Sequence, residues 1–209
     1  KVGVALTDIM TGLYATIAVQ AALAEREKSG LGQHIDLALL DVQIACLANQ
    51  ASNYLAGGLV PRRMGNAHPN LAPYAVFDCA DGWIILATGN DGQYRRLCGI
   101  LGLPDLAEAA EYLTNADRVK NRLALTAALT VATLRWQKAD LLAACEAEGV
   151  PAGPINDLAE VFADPQVMAR GMRLDMGGVP GVRSPFTFSD AELALDTPAP
   201  KLGEHQDLA

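Results

Sequence analysis

The chain has 209 residues, of which 51% are hydrophobic and 19% charged, enough for one large domain or two small ones. Its formal net charge of −8 disfavours nucleic-acid binding, because an acidic surface repels phosphate groups. No continuous apolar run approaches the roughly 20 residues that a membrane-spanning helix needs. The composition therefore predicts a core-rich globular protein that associates with neither nucleic acid nor membrane.

The start of the chain and its cysteines add further expectations. The chain begins at Lys1, already inside an apolar segment and without a signal-peptide pattern, which favours a fragment or a processed product. The cysteines form no CxxC pair and the three histidines are scattered, so we expect no metal site, no disulfide scaffold and a reducing, cytoplasmic environment. We predict that all four thiols are buried and inert, at Cys46, Cys79, Cys98 and Cys145.

The first sixty residues (1–60) predict a helix, a strand and a second helix. Apolar residues recur at helical spacing after Asp8, and Gly30 is a typical C-terminal stop. The apolar run 34–40 predicts a strand, and 41–55 predicts the second helix. This order is typical of a parallel α/β layer, so we assign 1–60 to part of a large α/β domain.

Glycines and prolines interrupt the pattern over 61–73, which predicts a linker or an irregular loop. The runs 74–79 and 83–88, joined by the turn residues 80–82, predict a β-hairpin. Helical segments follow at about 92–101, 116–134 and 138–148. A hairpin followed by helices predicts a small α+β domain over 74–148.

The remaining segment, 149–209, predicts short elements. The stretch "GVPAGPIN" (149–156) is typical of extended backbone. Asp157 with Glu160 three residues later predicts a capping box at a helix start. Glycine and proline turns over 171–189 predict short strands.

The carboxylate of Asp8 lies at the predicted start of the first helix, where two roles are open. A residue there can cap the helix by accepting backbone N–H bonds, and the helix dipole favours its ionised form. An ionised carboxylate is also what a covalent nucleophile requires. Local physics favours the cap and leaves the catalytic role open.

Two other stretches have a structural and a functional interpretation each, and a histidine near the end of the chain has a structural one. In 62–70, Asn66 and His68 offer hydrogen-bond donors beside two arginines that could face phosphates, although an interdomain loop is the simpler interpretation. In 87–96, glycines at a predicted helix start could hold an anion or form a turn. His205 is expected to be a solvated tail residue. Neither a Walker A motif nor a dinucleotide-binding fingerprint occurs.

Five stretches occur in a fixed order: "VALTDIMTGLYA", "KSGLGQHIDLALLD", "MGNAHPNLAPYAVFDCADGWIILA", "EGVPAGPIN" and "KLGEHQD". Together they resemble the C-terminal half of a class III CoA-transferase, the CaiB/BaiF family, and the resemblance covers nearly the whole chain. It implies an enzyme that moves coenzyme A from an acyl-CoA donor to a small carboxylic acid acceptor. The CoA thioester would be the substrate, with no bound cofactor and no metal.

The resemblance also implies site residues. The family's nucleophile is an aspartate with a Thr-Gly or similar pair shortly after it, which matches Asp8 and Thr11-Gly12. Asp8 would form a mixed anhydride with the donor acyl group and then an aspartyl-CoA thioester. A family loop expected to line the acyl pocket maps onto Gly65, Asn66, Ala67, His68 and Pro69.

This loop is richer in glycine in some members, where it is thought to shield the covalent intermediate. Here His68 and Pro69 stand in place of the extra glycines, which argues against the same shielding role. The loop is still expected to line the acyl pocket.

The family fold joins a partly Rossmann-like large α/β domain to a small α+β domain, and two chains interlock as linked rings. The large domain is built from both ends of the chain, so 149–209 is expected to return to it. The family chain is much longer than this one. The resemblance implies that the absent half holds most of the CoA contacts, which would leave this chain inactive on its own.

Two alternatives accompany this interpretation. An α-methylacyl-CoA racemase resembles the same fold and would use Asp8 in an Asp/His pair to move a proton, although Thr11-Gly12 favours the transferase. A non-catalytic chain that completes another subunit is the other alternative. The abrupt start and the apolar surface that such a chain would expose favour it.

Overall fold

A computed structural model of the chain describes residues 3–204. His205 and the end of the "KLGEHQD" stretch lie outside the described residues, so the expectation for that tail stays a prediction. Contacts divide the chain into two compact units, Lys1–Arg63 and Met64–Ala209.

The first unit is helical over its described part. Its helices are α1 (Leu6–Ser29), α2 (Leu39–Ala45) and α3 (Ala48–Gly57). The predicted stop after α1 is confirmed: Gly30 takes a left-handed conformation with φ of 73°, and its N–H bonds to the carbonyl of Arg26. Thr7 donates a hydrogen bond to the side-chain oxygen of Gln43, which ties the start of α1 to α2.

Helix α1 has 24 residues, and its most apolar 18-residue window has a mean hydropathy of 1.3. Its length and composition are therefore sufficient for a membrane-spanning helix. Core helices of globular proteins meet the same criterion, so this property does not identify the helix as a membrane span.

The predicted strand over 34–40 is wrong. Residues 31–38 form neither helix nor strand, and α2 begins at Leu39. A strand needs a neighbour to satisfy its backbone groups, and the described part of the first unit contains no strand that could pair with it. The predicted helix over 41–55 is two helices, because the chain turns at Cys46 and Ala48 adopts a positive φ of 45°.

The second unit is built on a three-stranded antiparallel sheet. Its strands are β1 (Tyr74–Cys79), β2 (Gly82–Ala87) and β3 (Ala152–Ile155), in the order β1-β2-β3. The predicted hairpin is confirmed, with Cys79 opposite Gly82 across a two-residue turn. Phe77 and Ile84 point into the core, in agreement with the alternation of the two strands.

Helices cover one face of this sheet. They are α4 (Asp91–Ile100), α5 (Pro104–Glu108), a short 3₁₀ helix (Ala110–Tyr112), α6 (Asn115–Lys120), α7 (Arg122–Thr133) and α8 (Lys138–Ala147). The predicted helix over 116–134 is divided at Asn121, where the backbone leaves the helical conformation. Leu97, Leu129 and Leu141 from three of these helices are fully buried in the core.

The end of the described chain contains α9 (Leu158–Ala163), α10 (Pro165–Ala169) and a hairpin of β4 (Arg173–Met176) and β5 (Val179–Val182). The predicted capping box is confirmed, because Asp157 and Glu160 each accept the other's backbone N–H at 2.8 Å. The protein is thus a mixed α/β chain with small antiparallel sheets. The Rossmann-like part of the predicted fold stays a prediction.

The prediction of four buried thiols holds for three of them. Cys79, Cys98 and Cys145 are buried, whereas Cys46 is exposed. Cys46 lies at the C-terminal end of α2 in the first unit, where Val42 is the one residue classed as buried within 3–63. The sequence pattern places an apolar residue on a helix face, but it does not show what covers that face.

Candidate functional site

Asp8 is the third residue of α1, and its side chain is exposed. The prediction that it caps the helix is wrong: Ala5 occupies the N-cap position, and no side chain caps this end. Asp8 still lies in the first turn, where the helix dipole stabilises a negative charge by about 0.3–1 kcal/mol. The four ion pairs found among residues 3–204 do not include it. An exposed, charged oxygen is therefore available at this position.

The segment Gly65–Pro69 lies in the second unit, directly before β1. Gly65 has a φ of 63°, a conformation that glycine adopts without strain. The Asn66 side-chain oxygen accepts the N–H of Val76 at 3.0 Å, which joins the loop to β1. Ala67 packs against the core of the unit. The loop is thus attached to the sheet on one side.

His68 is fixed in three ways. Its backbone N–H donates to the carbonyl of Tyr74 at 2.8 Å, and its ring stacks on the Tyr74 ring with centroids 5.0 Å apart. Its Nδ1 accepts the N–H of Asn70 at 3.1 Å. A ring nitrogen that accepts a hydrogen bond carries no proton, so this contact assigns the proton of the neutral ring to Nε2. Nε2 is therefore the ring nitrogen of His68 that is left to donate a hydrogen bond.

Side chains of two helices form a second set of contacts with the loop, and no sequence pattern predicts these contacts. Arg122, the first residue of α7, donates to the carbonyls of His68 and Pro69, each at 2.8 Å. Asn115 donates to the carbonyl of Asn70 at 2.9 Å. These partners are separated by more than forty residues in sequence, and no spacing rule connects such distant residues.

The far end of the loop is anchored by a buried arginine. Arg118 is 1% exposed and donates through Nε to the carbonyl of Ala72 at 2.7 Å. A second nitrogen of its guanidinium bonds to the carboxylate of Asp91 at 2.7 Å, and its charge lies over the Tyr94 ring at 4.5 Å. Because a buried charge is costly without partners, these contacts make Arg118 a fixed anchor.

The structure supports the structural interpretation of the stretch 87–96, a turn that leads into a capped helix. The Asn90 side chain caps α4 by accepting the N–H of Gln93 at 2.9 Å, and the N–H of Gly89 donates to the Gln93 side chain at 2.7 Å. Two of the backbone donors that an anion could use here, the N–H groups of Gly89 and Gln93, are thus bonded within the chain. Arg96 donates to the carbonyl of Gly149 at 3.3 Å, which links this helix to the turn before β3.

The structure brings the predicted loop residues together and places Asp8 in the other unit. Within residues 3–204, no three or more His, Cys, Asp or Glu side chains cluster in a way that could hold a metal ion.

Comparison with known proteins gives consistent matches. A family model described as CoA-transferase family III matches residues 1–206. The chain is 54% identical over 211 residues to a succinate–glutarate CoA-transferase from Agrobacterium fabrum, covering 99% of this chain and 53% of that protein. It is 41% identical over 213 residues to a succinyl-CoA:glutarate CoA-transferase from Homo sapiens, covering 97% of this chain and 48% of that protein.

A crystal structure of a CaiB/BaiF family protein from Brucella suis resembles the chain with a TM-score of 0.84 and 56% identity. The match covers 98% of this chain and 54% of that one. The chain therefore spans about half the length of the relatives that it matches.

Proposed function

The chain belongs to CoA-transferase family III, the CaiB/BaiF family, and on this premise we propose that the protein moves coenzyme A from an acyl-CoA to a carboxylic acid through a covalent intermediate on Asp8. The observation that carries the proposal is an exposed aspartate in the first turn of α1, next to Thr11 and Gly12. The helix dipole there favours the ionised carboxylate, the form that attacks a thioester.

The proposed reaction has four steps, each of which moves an acyl group between an oxygen atom and the sulfur of CoA. A carboxylate oxygen of Asp8 attacks the thioester carbon, the C–S bond breaks, and CoA leaves as a thiolate, which gives an acyl-aspartyl anhydride. The thiolate then attacks the Asp8 carbonyl carbon and expels the donor acid as its carboxylate. The acceptor carboxylate attacks the aspartyl-CoA thioester and releases the thiolate again. Attack of the thiolate on the acceptor's acyl carbon forms the new acyl-CoA and restores Asp8.

We propose a small dicarboxylic acid as the acceptor. Succinate and glutarate appear in the names of the Agrobacterium relative and, as succinyl-CoA and glutarate, of the human relative. The loop Gly65–Pro69 would line the acyl pocket, with the Nε2–H of His68 as a hydrogen-bond donor to an anionic oxygen. A charge-assisted hydrogen bond of this kind fits a carboxylate substrate better than a neutral one.

The racemase alternative is not favoured, because the relatives named above are CoA-transferases. We propose an interlocked homodimer as the assembly, in which the part of 149–209 that follows β3 returns to the large domain, since β3 itself pairs with β2 in the sheet of the second unit. The apolar side chains that α1 leaves exposed support an extensive interface for the first unit.

The test of the mechanism is the replacement of Asp8 in the whole protein. Asp8→Asn removes the anionic oxygen with almost no change of shape, so we expect transfer to fall by about 10³-fold or more, with thermal unfolding altered no more than in the control variant. Asp41→Asn is the matched control, because Asp41 is also an exposed acid in the first turn of a helix of the same unit. Full activity in Asp8→Asn would mean that Asp8 has no catalytic role and contributes only a negative charge at the start of α1.

The covalent step has its own readout. After incubation with acyl-CoA, peptide mass spectrometry is expected to find the acyl or CoA adduct within residues 1–15, at Asp8. The absence of any adduct in that segment during turnover would contradict the mechanism. Deuterium uptake at the alpha carbon of the acyl group without an acceptor acid would support the racemase instead.

A further inference from the structure

The carbonyls of His68 and Pro69 share one guanidinium. Two nitrogens of Arg122 each bond to one of these carbonyls at 2.8 Å, so a single planar fork fixes two successive residues of the loop. A charged donor gives stronger hydrogen bonds to carbonyls than a neutral donor does. The loop backbone therefore keeps one conformation through a side chain that lies 53 or 54 residues further along the chain.

This conformation determines where the His68 ring points. The ring is held by its stack on Tyr74 and by the Asn70 N–H at Nδ1, and both contacts need the backbone at 68–70 to stay in place. Asn115 holds the carbonyl of Asn70 at 2.9 Å and thus fixes the other side of the same turn. Loss of the fork at Arg122 would free the carbonyls of the 68–69 and 69–70 peptides and let the ring rotate.

We propose that Arg122 is a positioning residue for the acceptor acid: it acts through His68, by holding the loop in the conformation in which Nε2–H is aimed at the substrate's carboxylate. This inference rests on the proposed function, since it requires that the loop lines the acyl pocket. The role of Arg122 is indirect in this proposal, because two nitrogens of its guanidinium bond to the loop carbonyls. Arg122 is therefore expected to affect catalysis only when His68 is present.

A double-mutant cycle tests this dependence in the whole protein. Arg122→Ala is expected to raise the KM for the acceptor acid about tenfold, with the KM for acyl-CoA changed by less than about twofold. Arg122→Lys is expected to be intermediate, because an ammonium group cannot bridge both carbonyls as a planar fork does. In a His68→Ala background, Arg122→Ala is expected to add no further increase in the KM for the acid.

The control is Arg95→Ala, which removes a half-exposed arginine from α4 of the same unit, with only a 3.9 Å ion pair to Glu108. It is expected to behave like the wild-type protein. Hydrogen exchange of the peptide that spans 66–70 supplies the structural readout, and faster exchange is expected in Arg122→Ala. If that variant does not fold, Arg122→Lys decides by the same measurements.

Two results would overturn the inference. The first is an unchanged KM for the acid in Arg122→Ala, and if exchange at 66–70 is nevertheless faster, Arg122 is a purely structural residue. The second is a full tenfold effect that persists in the His68→Ala background. Failure of the proposed function is recognised separately, because the wild-type protein and Arg95→Ala would then show no CoA transfer at all.

Discussion

Burial decides the chemistry of the cysteine thiols residue by residue. Burial, together with the neighbouring Cys79, raises the pKa of the Cys145 thiol from 9.0 to about 11. Burial also raises the pKa of Cys98 and of Cys79, and for Cys79 the carboxylates of Asp81 and Asp78 add to the effect. The thiolate is the reactive form, so a raised pKa lowers the reactive fraction at neutral pH.

We predict that iodoacetamide at pH 8 modifies Cys46 first in the folded chain. Cys46 is exposed, whereas Cys145 is fully buried and, with a pKa of about 11, less than about 1% ionised at that pH. Because the pKa is raised, the reactive fraction of Cys145 grows only as the pH approaches 11. Peptide mapping after short labelling measures the order.

The control for this prediction is labelling in urea, where all four cysteines are expected to react at similar rates. Equal labelling of Cys46 and Cys145 in the folded chain would contradict the burial of the Cys145 thiol.

The loss of stability that a leucine-to-alanine substitution causes in α7 depends on which face of the helix carries the leucine. Helix α7 contains Leu129, which is 0% exposed and part of the core, and Leu123, which is 86% exposed. We predict that Leu129→Ala lowers the free energy of unfolding by about 2–5 kcal/mol, because it leaves a cavity in the core. Leu123→Ala is expected to stay within about 0.5 kcal/mol of the parent chain. Urea denaturation of both variants measures the difference.

The two substitutions form a matched pair, since both shorten a leucine in the same helix. Equal changes in the free energy of unfolding would mean that α7 does not pack on β1 through this face. The comparison therefore tests the orientation of α7. Arg122, the first residue of this helix, bonds to the candidate loop.

At the scale of the whole molecule, the first unit has many apolar side chains and little core of its own. Exposed side chains of α1 include Leu13 at 55% and Ile17 at 64%. A groove of about 590 Å³ between α2, α3 and the segment after them is lined mainly by apolar residues such as Leu47 and Tyr54. Apolar surface of this extent on one unit is typical of an interface.

We predict that Ile17→Glu weakens the assembly of the whole protein, because a charge would be buried in the proposed interface at a cost of several kcal/mol. Leu123→Glu is the control, since Leu123 is more exposed than Ile17 but lies on α7 of the second unit. Light scattering during size-exclusion chromatography measures the molar mass. If the Ile17→Glu dimer proves as stable as the Leu123→Glu dimer, this face of α1 is not part of the interface.

The sequence by itself determined the elements whose signals are local. The hairpin 74–87 follows from alternation on either side of a two-residue turn, and the box at Asp157 and Glu160 follows from a three-residue spacing. The end of α1 at Gly30 follows from the conformational freedom of glycine. The five ordered stretches, the first of which contains Asp8, were also enough to indicate the family, which the comparisons confirmed.

Only the tertiary structure decided features that need a distant partner. A strand at 34–40 requires a neighbouring strand, and the described first unit supplies none, so the apolar run is not a strand. The cap at Asp8 depends on where the helix begins, which is Leu6. The hydrogen bond from Arg122 to the carbonyl of His68 joins residues that are 54 apart in sequence. Hydrogen bonds of this kind form only after the chain has folded, because no local periodicity encodes them.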